Sequence, residues 1–183
     1  MKTALITGGA ARIGAQIART LHENNFKIII HCNQSLEKAQ LLSDELNSVI
    51  KDSSGVISGN LNNFESISSI VNSIDSLDLL VNNASVFYPK SVDNSEIDDW
   101  NDVINVNLRA PFFLSKGLSK KLSIRSGSII NIIDIHADRP LKKHAVYNIS
   151  KAGLKMMTQT LAKELAPNIR VNGVSPGSIL WPE

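Results

Sequence analysis

The sequence predicts an α/β fold built on a doubly wound parallel sheet, and three observations carry that expectation. Short Ile- and Val-rich runs alternate with helix-period segments along the whole chain. The runs are apolar throughout, as in strands covered on both faces, and do not alternate like half-exposed strands. The first run ends in a Gly-rich turn that opens a helix, the arrangement a parallel sheet uses to bind phosphate at its edge.

Taken in order, a strand at 3–6 leads into a helix marked by Ile13, Ile17 and Leu21. A strand at 28–30 precedes a helix over about 36–46, and Val56 and Ile57 precede a helix carrying Ile67, Ile70 and Val71. The fourth strand, at 77–81, is followed by a long helix. Ser95 with Asp98 reads as its capping box, ahead of the apolar positions Ile97, Trp100, Val103 and Ile104. A strand at 129–133, a helix over about 145–166 stopped by Pro167, and a strand at 170–174 complete six strands and five helices. Such alternation requires right-handed crossovers.

Composition narrows the function. The 183 residues are 43% hydrophobic and 20% charged, which predicts one domain over 1–183 with a single core. A formal charge of +2 without blocks of like charge argues against nucleic-acid and membrane-surface partners. No apolar run approaches the roughly 20 residues that span a bilayer, and the N-terminus does not resemble a secretory signal, so a cytoplasmic location is expected. Cys32 is the lone cysteine and reads as a small buried residue; a disulfide or multi-cysteine zinc site is not expected, nor any other metal site.

The turn Thr7-Gly8-Gly9-Ala10-Ala11-Arg12-Ile13-Gly14 departs from the plain G-x-G-x-x-G spacing, yet its strand-turn-helix setting suits a pyrophosphate. An NAD-selective site places an acidic side chain about 20 residues farther on. Here that window reads His31-Cys32-Asn33-Gln34-Ser35, with no carboxylate to repel a 2′-phosphate, and Arg12 is a candidate cation. NADPH is therefore expected over NADH. Tyr147 and Lys151 lie four apart near the start of a helix and so share a face. An ammonium near a phenol, whose ordinary pKa is near ~10, would make it a better proton exchanger.

The glycine turn, Asn82-Asn83-Ala84-Ser85 after the fourth strand, Asn107 in the long helix, Tyr147 with Lys151, and Pro176-Gly177 after the last strand together resemble the short-chain dehydrogenase/reductase family. The resemblance spans almost the whole chain. It implies a Rossmann-like sheet with six of the usual seven strands. Tyr147 would be the general acid; Lys151 would lower its pKa and hold the nicotinamide ribose, and Asn107 would position a water in the proton relay. Thr7, Gly8, Arg12, Ile13, Gly14, His31, Asn33, Ser35, Asn60, Leu61, Asn83, Ala84, Ser85, Pro176 and Gly177 would line the cofactor.

One departure points to a subgroup. The family usually has a serine thirteen positions before the tyrosine, and 147 − 13 = 134 is Asp134. This resembles the pteridine reductases, as do Arg12 in place of the middle glycine and the segment from Asn83 to Pro89. The resemblance implies reduction of a dihydropterin or dihydrofolate, with Phe87 stacking on the pterin and Ser85, Arg12, Asp134 and Tyr147 around it. Asn60 stands where relatives carry an aspartate for the adenine amino group, and Gln34 where pteridine reductases carry an arginine. A 3-oxoacyl thioester reductase is the alternative within the family.

The family also implies a homotetramer or homodimer through the helices carrying Asn107 and Tyr147. Its members continue after the Pro-Gly pair into a substrate-covering segment, a helix and a seventh strand, whereas this chain stops at Trp181-Pro182-Glu183. A C-terminally short enzyme is the expectation, and a cofactor-binding module without catalysis is its rival.

Overall fold

Parallel strands buried on both faces can pair only through crossovers, and the chain does this five times. The structure, a computed structural model, describes residues 1–177. Its strands are β1 (Lys2–Ile6), β2 (Phe26–Cys32), β3 (Ser54–Ser58), β4 (Leu79–Asn82), β5 (Ser128–Ile132) and β6 (Arg170–Val174). They form one parallel sheet in the order β3-β2-β1-β4-β5-β6, the doubly wound Rossmann-like order. The reversal between β1 and β4 opens a crevice at their C-terminal ends, where such sheets take ligands. The expected missing seventh strand and lid lie outside the described residues.

The helices are α1 (Arg12–Glu23), α2 (Leu36–Val49), α3 (Phe64–Ser73), α4 (Ile97–Ile104), α5 (Ala110–Ile124) and α6 (Ala145–Glu164). Helices α1 and α2 cover one face of the sheet over Ala4, Ile6, Ile28 and Ile30. Helices α3, α5 and α6 cover the other, where Leu5, Leu80 and Ile129 meet Ile70, Leu114, Leu118 and Leu154. Full burial of such side chains contributes roughly 1.5–3 kcal/mol each. Among the described residues, no helix is long and apolar enough to cross a membrane.

The cap expected at Ser95 needs correction, and two helices carry detail that periodicity does not show. The expected helix is α1; its most buried residues are Gly14, Ala15, Ala18 and His22, and Ile17 and Leu21 pack partly buried against the same core. Small residues let the helix approach the strands closely, and His22 Nε2 meets Ser53 Oγ at 2.7 Å. The expected long helix runs without a break through α4 and α5, and a π-helical segment at Asn105–Arg109 lies between them. Its capping residue is Glu96, whose N–H donates to Asp99 Oδ2 at 3.0 Å; Ser95 instead turns back to donate to the Ser91 carbonyl. A one-residue shift of this kind depends on where the preceding loop delivers the chain. Helix α3 is capped by Asn63, whose Oδ1 accepts from the N–H groups of Glu65 and Ser66, a contact worth about 1 kcal/mol.

Candidate active site

The glycine turn folds against the exit of β4. Thr7 Oγ1 accepts from the N–H groups of Asn83 and Ala84 at 2.9 and 3.0 Å, and Asn83 Nδ2 donates to the carbonyls of Thr7 and Gly8. The side chains of Thr7 and Asn83 are thus committed to joining two turns. Gly8 has φ +61°, a conformation that favours glycine. A Cβ on Gly14 would stand 2.3 Å from the Gly8 carbonyl oxygen and 2.7 Å from Asn83 Nδ2, so only glycine lets α1 start this close to the turn.

The residues present fit a dinucleotide phosphate. The first N–H groups of α1 have no partner within the helix, Ala11 caps it without a side-chain bond, and its first turn contains no acidic residue. Arg12 is exposed on that turn at φ +50°, where the family pattern has glycine. Holding a non-glycine residue in this region costs about 1–2 kcal/mol. Asn33 and Ser35 are exposed beyond β2. Asn60 is exposed past β3, with its Oδ1 already accepting the Asn62 N–H at 2.9 Å, and Leu61 is buried. His31 is buried and bonded to protein on both ring nitrogens.

Where β5 ends and α6 begins, the acid–base groups meet. Tyr147 Oη donates to Asp134 Oδ2 at 2.7 Å, while Asp134 Oδ1 accepts the His136 N–H at 2.8 Å and caps a short turn, Ile135–Ala137. Asp134 is therefore both a strand-end cap and the partner of Tyr147. Burial and the Asp134 carboxylate push the Tyr147 phenol well above its ordinary range; a hydrogen bond from Ser85 works against them. The Lys151 ammonium is buried, donates to the Ile132 carbonyl at 3.0 Å and sits 5.6 Å from the Tyr147 ring centroid. Burial pushes its pKa down to about 8, with Asp134 partly offsetting the effect. Held this way, Tyr147 keeps its proton at neutral pH and is a donor.

Asn107 sits in the π-helical segment, fully buried. Its Oδ1 accepts the Val86 N–H at 2.7 Å and its Nδ2 donates to the Val86 carbonyl at 3.0 Å and to Ser150 Oγ at 3.1 Å; Ser150 in turn donates to the Tyr147 carbonyl. The amide acts as a strand partner that ties the Ser85–Phe87 segment to α6, so a water relay would have to use other atoms. Phe87, 45% exposed, packs edge-on to Tyr147 at 4.8 Å and is stacked on His144 at 4.7 Å and 14°. Lys90 anchors the far end of this segment through a bridge to His144 and an ion pair with Asp99 at 2.9 Å. The space beside Tyr147, lined by Tyr88, Val103, His144 and Val146, holds about 10 Å³, water-sized at most. Pro176 accepts the Ile135 N–H, next to Gly177.

Sequence reasoning missed His144, Ser150 and the buried ladder in which Asn82 donates to Asn131 and Asn131 to Thr158. Ser150, three residues after Tyr147 and one before Lys151, carried the only local signal. A glycine turn at the sheet's switch point and a Tyr147–Lys151 pair at its edge are what a nicotinamide-dependent oxidoreductase requires, and comparison with known proteins agrees. Residues 2–182 match the model for short chain dehydrogenase. The 3-oxoacyl-(acyl-carrier-protein) reductase FabG of Rickettsia bellii is 39% identical over 180 residues, 97% of this chain and 73% of the relative. Trans-4-hydroxycyclohexanecarboxylate dehydrogenase of Sinomonas cyclohexanicum is 33% identical over 99% of this chain and 73% of its own length. The crystal structure of FolM alternative dihydrofolate reductase 1 from Brucella suis in complex with NADP superposes with TM-score 0.89 at 33% identity, covering 98% of this chain and 76% of that one. Fold, site and sequence coincide, and the chain belongs to the short-chain dehydrogenase family of oxidoreductases.

Proposed function

We propose that this chain is an NADPH-dependent reductase of a pterin-type C=N bond, converting a dihydropterin or dihydrofolate to its tetrahydro form. The observation that carries the reading is the 2.7 Å hydrogen bond from Tyr147 to Asp134, in a position where the family usually has serine, beside the half-exposed Phe87 ring. Reduction breaks the C=N π bond and forms one C–H and one N–H bond. The nicotinamide, when bound, supplies the hydride to carbon. Tyr147 gives its proton to nitrogen and is reprotonated from solvent. Asp134 orients the phenol hydroxyl beforehand, and its carboxylate accepts from the ring N–H and amino donors of a pterin. Phe87 offers an apolar face to a flat heteroaromatic ring.

Preference for NADPH is supported by the exposed Arg12 cation, by the absence of a carboxylate from His31 to Ser35, and by NADP in the similar FolM structure. A second reading, a 3-oxoacyl thioester reductase, is favoured by the 39% identity to the Rickettsia enzyme. Assaying the chain with NADPH on dihydrobiopterin, dihydrofolate and an acetoacetyl thioester separates them. Faster turnover of the dihydropterin or dihydrofolate supports our reading, turnover of the thioester alone replaces it, and NADPH binding without turnover of any of them leaves a cofactor-binding module. We further propose a homodimer or homotetramer through α4, α5 and α6, which expose Trp100, Phe112, Ile149 and Met156. Light scattering that returns a monomer mass at micromolar concentration would remove this proposal.

A further inference from the structure

His31 is the one imidazole in the chain with both ring nitrogens bonded to turns at the ligand edge of the sheet. It lies near the end of β2 at 1% exposure. Its Nδ1 accepts the Gly8 N–H at 3.3 Å, and its Nε2 meets the Gly59 carbonyl at 3.0 Å. One partner is a donor and the other an acceptor, so the network requires the neutral ring with its proton on Nε2. The main chain of β2 repeats the pattern: the His31 carbonyl accepts the Gly9 N–H at 2.9 Å, and the Cys32 carbonyl accepts the Gly59 N–H at 3.0 Å. The end of β2 therefore holds the glycine turn on one side and the turn after β3 on the other, each by one main-chain bond and one bond to the same imidazole. Those two turns lead into Arg12 and Asn60, which the family resemblance puts toward the pyrophosphate and the adenine of a dinucleotide.

We propose that His31 is a positioning residue for the cofactor: it sets the spacing of the two turns that straddle the dinucleotide, and does so without touching it. The N–H groups of Gly8 and Gly9 are both used by residue 31, so the phosphate contacts fall to the N–H groups from Ala10 onward. An apolar replacement leaves the Gly8 N–H and the Gly59 carbonyl unpaired in a buried place, and the turns must shift to reach water. Glutamine spans a similar reach and carries one acceptor and one donor, so it preserves both bonds. The inference rests on the cofactor half of the proposed function and is independent of the pterin assignment.

The test measures the NADPH dissociation constant by nicotinamide fluorescence for the native chain, His31→Leu and His31→Gln, at a temperature where each is folded. His31→Leu should weaken binding on the order of 10-fold, the loss expected of unpaired buried polar groups, while His31→Gln stays within about 3-fold of native. In His31→Leu the KM for NADPH should rise by a larger factor than kcat falls, a split that general loosening of the fold would not produce. Native binding by His31→Leu, or equal weakening in both variants, overturns the proposal. A native chain that does not bind NADPH overturns the cofactor reading, and this inference with it. Should His31→Leu fail to fold, amide hydrogen exchange of the native chain decides, since an unprotected Gly8 N–H would show that the imidazole bond is not made.

Discussion

Tyr147→Phe should lower turnover of a dihydropterin by about 10²–10⁴-fold, the usual contribution of a positioned general acid, while the NADPH dissociation constant changes little. The substitution removes only the hydroxyl. Its hydrogen-bond partner, Asp134 Oδ2, keeps access to water because Asp134 is only partly buried, and Oδ1 stays on the His136 N–H. The ring still packs against Phe87 and over the Lys151 ammonium. Stability should therefore fall by no more than about 1–3 kcal/mol, the range for a hydrogen bond to a charged group. Steady-state turnover, thermal melting and NADPH fluorescence titration together check the result; a folded variant that reduces dihydropterin at the native rate would remove Tyr147 from the mechanism.

Asp134→Ser should separate the two substrate classes. Dihydropterin turnover is expected to drop on the order of 100-fold, because the acceptor for the substrate's N–H groups is gone along with the carboxylate that orients the Tyr147 hydroxyl. A 3-oxoacyl thioester should be reduced at least as well as before, since serine is the residue the family generally uses there. The pH profile adds a sign. Asp134 raises the Tyr147 pKa both through its hydrogen bond and through its charge, and burial raises it independently. Removing Asp134 leaves burial alone, so the Tyr147 pKa falls and the alkaline limb of the rate profile moves to lower pH. Unchanged dihydropterin turnover in the serine variant would falsify the substrate role of Asp134, and an alkaline limb that stays in place would reject its hold on the Tyr147 proton.

Much of the architecture was legible because it rests on local patterns. A continuous apolar run such as that of β4 is buried on both faces wherever a parallel sheet forms, and the Tyr147–Lys151 spacing puts both side chains on one helix face in any helix. The helix expected over 145–166 is observed at Ala145–Glu164, with Leu165 as its cap and Pro167 beyond. What failed was fine placement. The α4 cap moved from Ser95 to Glu96, and α1 buries Gly14, Ala15, Ala18 and His22 more deeply than Ile13, Ile17 and Leu21, since both depend on how a helix is delivered to strands distant in sequence. The π-helical segment at Asn107 has no periodic signature, because one wider turn disturbs the pattern over only five residues.

The sequence by itself determined the alternation of strands and helices, the glycine turn at the end of β1, and the shared face of Tyr147 and Lys151. Each follows from periodicity or spacing within a few residues. Only the tertiary structure decided what the polar side chains do there. Asn107 serves Val86, Asn83 and Thr7 serve each other, His31 serves Gly8 and Gly59, and Asp134 raises the proton affinity that Lys151 was expected to lower. These partners are 13 to 76 residues apart in the chain. Which of them meet is set by strand order and burial, and in a low-dielectric interior a single such contact is strong enough to choose the role of each group.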